Sequence, residues 1–473
     1  MSKGFVTCIR RNSASGTPDY FVAVHDSGLS TRSLKSALTL NLGEVGELSL
    51  SDGSVADFTP LDAAKERAEM EKLVSNAAES LLKGDVHKIG VGAIDTVTEK
   101  MWKRLREAMK LMARKLMLGA PIVIRFHNDI DGASGAYALY KTLVAATGSG
   151  ETVAYKPNIT WRMHGSVFYT AEDAANDLLA CNNYECVEKP LLLIIDFGTA
   201  EESNGGFGMA KDKFDIIWLD HHPIIEGFRG RELEHYVNPW NFGGDSNYTA
   251  GFLAAVFAKT LANMDTREIE EASFIGDYSE HSKPSTGARR LAALLDLVTS
   301  DTRVISGMRG NLNPESVDSL LKDKAKSEEL IAYAESRVAE MLDMAIGAVK
   351  VYNAKSARIY VADFETLRLN DQERYPLPGR FASRLLGRIE ELNSQPCILL
   401  LHFGHFVSVR MSKKLIGKVR LLDVLEEVHS NFSNYVESTG GHSNAASIKM
   451  NGEEMKKAVI KDTVDRLKAA LDA

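Results

Sequence analysis

The 473-residue chain has no apolar run approaching the ~20 residues of a transmembrane helix, so no membrane span is expected. Its first residues, MSKGFVTCIRRNSASGTPD, also lack the apolar core of a secretory leader. Cysteine is scarce. Cys8, Cys181, Cys186 and Cys397 include no C-x-x-C pair, which points to reduced thiols in a cytoplasmic protein. An excess of positive charge is missing too, since 56 Lys and Arg face 64 Asp and Glu. The net charge of −8 excludes a nucleic-acid binder that uses its whole surface, but not a local basic groove. The length is too great for one ordinary core, so two or three domains are expected.

Periodicity divides what is present. Phe5–Ile9 and Tyr20–Val24 are short apolar runs, and Asp52-Gly53 is a hairpin-turn signal after Glu47–Leu50, so the start reads as a small β-rich module. Two helices follow, over Ala63 to Lys83 and Met101 to Leu118. Three continuous apolar runs come next, at 121–126, 191–195 and 214–219. Separated by helical stretches at 133–146 and 170–180, with another at 247–262, they read as buried parallel strands of an α/β sheet. Residues 286–350 are mostly helical in pattern. A second α/β segment then begins, with strands at Ala357–Val361, Cys397–Leu401 and Phe406–Arg410.

Acidic and imidazole side chains fall at or just past the carboxyl ends of these strands, the edge where open α/β sheets place their sites. His127-Asn128-Asp129-Ile130-Asp131-Gly132 follows the first, Asp196 the second and Asp220-His221-His222 the third; Asp277 comes later. Asp129 and Asp131, two residues apart, would point the same way from an extended segment. No one motif is specific, because D-x-D-G is a common turn and an Asp after a strand is often a helix cap. The ordered set suits Mn²⁺ or a similar ion. It suffices for two metals ~3.5–4 Å apart sharing one Asp, the arrangement used for phosphoryl displacement.

HNDIDG, LLLIIDFG, WLDHHP and FIGDYS resemble the four successive motifs of the DHH phosphoesterases. That superfamily includes RecJ exonucleases, oligoribonucleases, cyclic-dinucleotide phosphodiesterases and family II inorganic pyrophosphatases. The resemblance runs from about 120 to 450. It implies that Asp129 and Asp131 bind different metals and that Asp196 bridges them. His221 and Asp277 would complete the second metal's shell, and His127 would serve the first. Asp220 and His222 would orient the ligands or touch the scissile phosphate. His127 stands two residues before Asp129, whereas phosphatase-like members space their histidine four before. Asn247–Gly251 matches a small-residue helix start of the superfamily, with backbone N–H groups that could face the site.

Toward the C-terminus, Arg380, the Ser408-Val409-Arg410 strand and Gly440-Gly441-His442 are similar to the substrate-binding domain of RecJ-like proteins. Between Arg374 and Arg420 nine basic residues face only Glu390 and Glu391, a local charge of +7 in an acidic chain. Such a stripe suits a phosphate backbone.

The expected architecture is α/β throughout: a β-rich module (1–58), a helical lead-in (59–118), a parallel-sheet DHH domain (119–300), a helical connector (301–352) and a smaller α/β substrate-binding domain (353–473). The expected activity is a RecJ-like exonuclease that hydrolyses single-stranded DNA or RNA with two Mn²⁺ ions, or Mg²⁺. An oligoribonuclease or cyclic-dinucleotide phosphodiesterase is the alternative. A scaffold in a replication or repair helicase complex is the second.

Overall fold

The computed structural model describes residues 2–12, 16–61, 63–82, 96–148, 153–166, 168–198, 201–300, 314–367, 375–441 and 443–472. The chain forms two compact units, Met1–Leu295 with Ile305–Lys322, and Asp296–Val304 with Asp323–Ala473.

The first unit opens with β1 (Ser2–Arg10), β2 (Asp19–His25), β3 (Leu29–Ser36), β4 (Val45–Ser51) and β5 (Ser54–Pro60). β4 and β5 turn at Asp52-Gly53, where both residues have positive φ, as the twist of a tight hairpin requires. Alternate side chains Val6, Tyr20, Val22, Val24, Leu34, Leu48 and Val55 share one core. The pairing β2-β1-β4-β5-β3 is closed by β3 on β2, and β3 runs parallel to β5. This is a closed barrel with OB-fold connectivity. Later parts of the chain extend it: β7 (Val153–Ala154) pairs with β3, and β9 (Tyr184–Cys186) with β1. The outward-facing Phe21 and Ala23 are buried, and Phe21 meets the ring of Tyr155.

In the β1–β9 pair Cys8 lies opposite Cys186, and the two form a disulfide. The expectation of four reduced thiols is thereby corrected for this pair; Cys181 and Cys397 are free and buried. The partners are 178 residues apart, joined by a strand pairing that no local spacing announces.

After α1 (Ala63–Ser80) and α2 (Thr96–Met117) comes a second sheet, of β6 (Ile122–His127), β8 (Ile159–His164), β10 (Leu191–Ile195), β11 (Asp215–Leu219) and β12 (Tyr236–Val237). Its order is β12-β11-β10-β6-β8, and every pair is parallel. Burial on both faces explains why β6, β10 and β11 read as unbroken apolar runs. On one face lie α3 (Ile130–Gly148), α6 (Ala250–Ala262) and α7 (Arg267–Gly276); α3 and α6 approach closely because Gly135 and Gly251 carry no side chain. On the other lie α4 (Ala171–Ala180) and α5 (Asn204–Ala210). α8 (Thr286–Ser300) leads out of this unit, and α9 (Pro314–Lys322) returns to it, with Asp318 bonded to Lys141 and Tyr137 of α3.

The second unit comprises α10 (Lys324–Ala348), β13 (Lys350–Asn353), β14 (Arg358–Asp363), α11 (Pro378–Leu392), β15 (Cys397–Phe403), β16 (Phe406–Met411), α12 (Leu421–Asn431), β17 (Val436–Gly441), β18 (Ala445–Met450) and α13 (Lys456–Asp472). Its sheet runs β13-β14-β15-β16-β18-β17. Period-two alternation feeds two cores. Ile398, Leu400, Val407 and Val409 pack with α12 and α13, while Leu399 and Leu401 pack with Phe381, Leu385 and Ile389 of α11. The stretch Ser316 to Glu340, which reads as a charged connector, forms α9 and most of α10, and α10 buries Leu330, Ala334 and Val338.

One polar group inside the parallel sheet stands out. Arg125 of β6 is buried and bonds the carboxylates of Asp173 and Asp177 on α4, at 2.9 and 2.5 Å. Tyr169 also donates to Asp177, at 3.2 Å. Removing one partner of such a network leaves buried charge uncompensated. Arg125→Met is therefore expected to cost about 3–5 kcal/mol of stability. Urea unfolding measures it; a loss well under that range would mean the carboxylates regain solvent.

Candidate metal centre

From β6 the chain passes through α3 to β8 on one side of the sheet, then crosses back to place β10 on the other side of β6. The strand order therefore reverses between β6 and β10. At such a switch point the loops leaving adjacent carboxyl ends diverge and open a crevice. Asp129 and Asp131 follow β6, Asp196 follows β10, and Asp220, His221 and His222 follow β11.

Asp129 caps α3, accepting the Gly132 N–H at 2.8 Å. A Cβ at Gly132 would lie 2.4 Å from the His127 carbonyl oxygen, so only glycine allows this tight return. The expectation that both carboxylates point the same way from an extended segment is corrected, because Asp129 caps α3 and Asp131 lies within it. Asp131 stands in the first turn of α3, fully buried. It accepts from the Ala250 N–H at 2.8 Å, the Gly251 N–H at 2.7 Å and the Ser273 hydroxyl at 2.5 Å. The start of α6 thus holds a carboxylate through first-turn peptide N–H groups that no helix carbonyl can reach, aided by the helix dipole. That is the part of Asn247–Gly251 that faces the site.

Asp196 has left-handed backbone (φ 61°), which is uncommon outside glycine and marks a position held by its surroundings. Its N–H donates to the Leu219 carbonyl. Neither of its buried side-chain oxygens has a hydrogen-bond partner among the described residues. Three imidazoles surround it: His127 Nδ1 is 3.4 Å from Oδ2, while His221 Nε2 and His222 Nδ1 are 3.4 and 3.7 Å from Oδ1.

Each ring is steered by another group. His221 Nδ1 donates to the Ser246 carbonyl at 2.7 Å. Its Nε2 is thereby directed at Asp277 (2.9 Å), Asp196 and Asp131 (3.7 Å). His127 Nδ1 is 2.8 Å from Asp129, and His222 Nδ1 is 2.7 Å from Asp220. Asp220 is itself approached by the buried Asn238 amide at 3.3 Å, which also reaches the His222 carbonyl at 2.9 Å. A carboxylate or carbonyl behind an imidazole is the usual means of fixing a ligand's tautomer. Asn238, Ser246 and Ser273 carry no motif in the sequence that marks them as part of the site. Asn238-Pro239 carries a helix-start signal, which marks the turn but not the amide's role.

The ligand atoms of His127, Asp129 and Asp196 lie within 4.8 Å of one another; so do those of Asp196, His221 and His222, and those of Asp131, His221 and Asp277. Asp196 and His221 each belong to two of these groups. Burial first, and neighbouring carboxylates second, push the Asp131 and Asp196 carboxyls above the usual range. Burial opposes a charge on His127, but Asp129 and Asp196 outweigh it and hold that imidazole up at about 10. His221 and His222 are raised against burial in the same way, by Asp277 and Asp220. Five carboxylates thus face three imidazoles at a largely buried place. The cluster's oxygen and imidazole donors fit divalent cations.

The second unit holds the remaining expected residues. Ser408 and Arg410 share the face of β16 that turns toward α11. Arg410 donates to the Ser383 hydroxyl at 2.9 Å and the Gly379 carbonyl at 3.0 Å. Arg380 ion-pairs with the buried Asp296 and donates to Thr299 Oγ1 at 3.1 Å; Arg384 joins Asp296 at 2.9 Å. Arg388 pairs with Glu391, and Arg420 with Asp423, so part of the basic stripe is neutralised within the unit. Gly440 and Gly441 end β17. Gly441 has φ +134°, and a Cβ there would meet the Ala445 carbonyl oxygen at 2.4 Å. His442 lies outside the described residues.

No protein-family model matches the chain. An uncharacterised protein of Methanocaldococcus jannaschii is 28% identical over 255 residues, covering 49% of this chain and 33% of that protein. The chain thus aligns with about a third of that relative's length. The solved DHH domain of a member of a ribosomal-protein family superposes with a TM-score of 0.71 at 21% identity, covering 86% of this chain and 99% of that one. The chain has the DHH-domain fold. RecJ of Thermus thermophilus, solved in complex with Mn²⁺, is similar at a TM-score of 0.46 and 15% identity, over 84% of this chain and 60% of that one.

The contact of α6 with Asp131 is testable. A Cβ at Gly251 would lie 2.7 Å from Ser273 Oγ and 2.8 Å from Asp131 Oδ1. Gly251→Ala is expected to displace the carboxylate and lower Mn²⁺ affinity by roughly 10- to 100-fold. Calorimetric titration with Mn²⁺ measures it, and unchanged affinity would mean that Asp131 need not be held where it is.

Proposed function

We propose that the chain is a Mn²⁺-dependent phosphodiesterase, an exonuclease of RecJ-like type acting on single-stranded DNA or RNA. The observation that carries this reading is the buried cluster of carboxylates and imidazoles around Asp196 at the sheet's switch point. His127, Asp129 and Asp196 would hold one ion; Asp131, Asp196, His221 and Asp277 would hold the other. Bound divalent ions supply charge for the phosphodiester and activate water.

The chain's own groups do the positioning. The N–H groups of Ala250 and Gly251 fix Asp131, and the Ser246 carbonyl keeps the His221 proton on Nδ1. Asp220 stands behind His222 Nδ1 and turns that ring, placing it to donate to a phosphate oxygen as negative charge builds. Ser408, Arg410, Arg380 and the Gly440-Gly441-His442 loop would hold the substrate strand. The engagement of Arg380 and Arg410 within their own unit favours a second reading, a phosphodiesterase of short oligoribonucleotides or cyclic dinucleotides. Such substrates need fewer phosphate contacts.

Asp196→Ala should abolish turnover and leave the fold intact, because both ions depend on that carboxylate. Wild-type activity on end-labelled single-stranded DNA and RNA should likewise vanish in EDTA and return with Mn²⁺. Near-normal cleavage by Asp196→Ala, or after exhaustive chelation, would contradict the mechanism.

A further inference from the structure

The candidate ligand cluster is largely buried, yet two aromatic residues next to it in the chain or in contact are not. Trp240 is 43% exposed and Tyr278 is 56% exposed, whereas Trp218, in the sheet beneath, is fully buried. Large apolar rings normally bury their area, and exposure next to a site calls for a reason.

Trp240 is bonded to one candidate ligand residue, and Tyr278 adjoins another in the chain. The Trp240 indole N–H donates to the His221 carbonyl at 3.1 Å, and its backbone N–H to the Asn238 side chain at 3.0 Å. Ser246, whose carbonyl accepts from His221, donates its own hydroxyl to the His221 carbonyl at 2.8 Å. The indole is thereby held to the loop that carries His221. Tyr278 directly follows Asp277, whose Oδ2 is 2.9 Å from His221 Nε2. Its backbone is left-handed (φ 52°), a conformation costly for a bulky residue. A glycine there would be more comfortable, so the ring is kept against a local penalty.

We propose that Trp240 and Tyr278 are stacking surfaces for the nucleobases of the strand whose phosphate enters the cluster. The proposal rests on the phosphodiesterase reading above and narrows it: the substrate must carry bases, and a bare polyphosphate would lack the contact. Aromatic faces accept any base, which suits cleavage without sequence preference. The indole, pinned by its N–H, offers a preset face with little side-chain freedom to lose.

The test compares kcat/KM of the full chain in Mn²⁺ on two single-stranded oligonucleotides of equal length, one with bases and one with abasic end nucleotides. Wild type should prefer the first by about 5- to 150-fold per stacked base. Trp240→Ala and Tyr278→Ala should bring the ratio toward one, while Tyr278→Phe retains it. Tyr278→Gly removes the ring and relieves the left-handed backbone, so its Tm should not fall although its ratio does. Quenching of tryptophan fluorescence by the base-bearing strand, with no metal added, should shrink in Trp240→Phe. Equal wild-type rates on both strands, or an unchanged ratio in both alanine variants and in Tyr278→Gly, would overturn the stacking proposal and leave the phosphodiesterase standing. Wild type that cuts neither strand but hydrolyses inorganic polyphosphate would overturn both.

Discussion

The carboxylate of Asp196 is buried with neither oxygen hydrogen-bonded among the described residues, and the rest of the site is arranged around that deficit. Burying that carboxylate beside other carboxylates is costly even with three imidazoles 3.4–3.7 Å away, and its backbone is left-handed. No lone proton settles the account, because Asp129, Asp131, Asp220 and Asp277 crowd the same imidazoles. Divalent cations would offset the charge of several carboxylates at once. On the proposed reading, the left-handed backbone at Asp196 would serve to hold its carboxylate between two such ions.

The scaffold makes that arrangement possible. Parallel strands deliver their carboxyl ends to one edge, and the reversal of order between β6 and β10 opens that edge to ligand. The close approach of α3 and α6 at Gly135 and Gly251 brings the start of α6 within reach of Asp131. Helix packing and ligand orientation thus share residues. The Arg125–Asp173–Asp177 network beneath is of another kind, a fully paired set inside the fold that the chemistry does not use.

Much of this was legible in the sequence, for physical reasons. Leu191–Ile195 and Asp215–Leu219 are unbroken apolar runs because both faces of the sheet are covered, and the acidic residues past their ends follow from the parallel topology. The α6 helix was expected from 247 and begins at Ala250, its cap at Thr249 lying inside the expected span. Less local features stayed hidden. The Cys8–Cys186 bond depends on β9 joining the N-terminal sheet, and barrel closure depends on β2 meeting β3 and β3 meeting β5. Asn238, Ser246 and Ser273 act through single hydrogen bonds that periodicity does not register. Arg380 belongs to a regular basic spacing, but the buried Asp296 that receives it lies 84 residues earlier.

The central claim is that Asp196 joins two divalent ions. It is tested most directly by anomalous scattering at the manganese edge from crystals of the chain grown with Mn²⁺. Two peaks are expected, one on each side of the Asp196 carboxylate, one near His127 and Asp129 and the other near His221 and Asp277. A single peak away from Asp196, or none at saturating Mn²⁺, would contradict it.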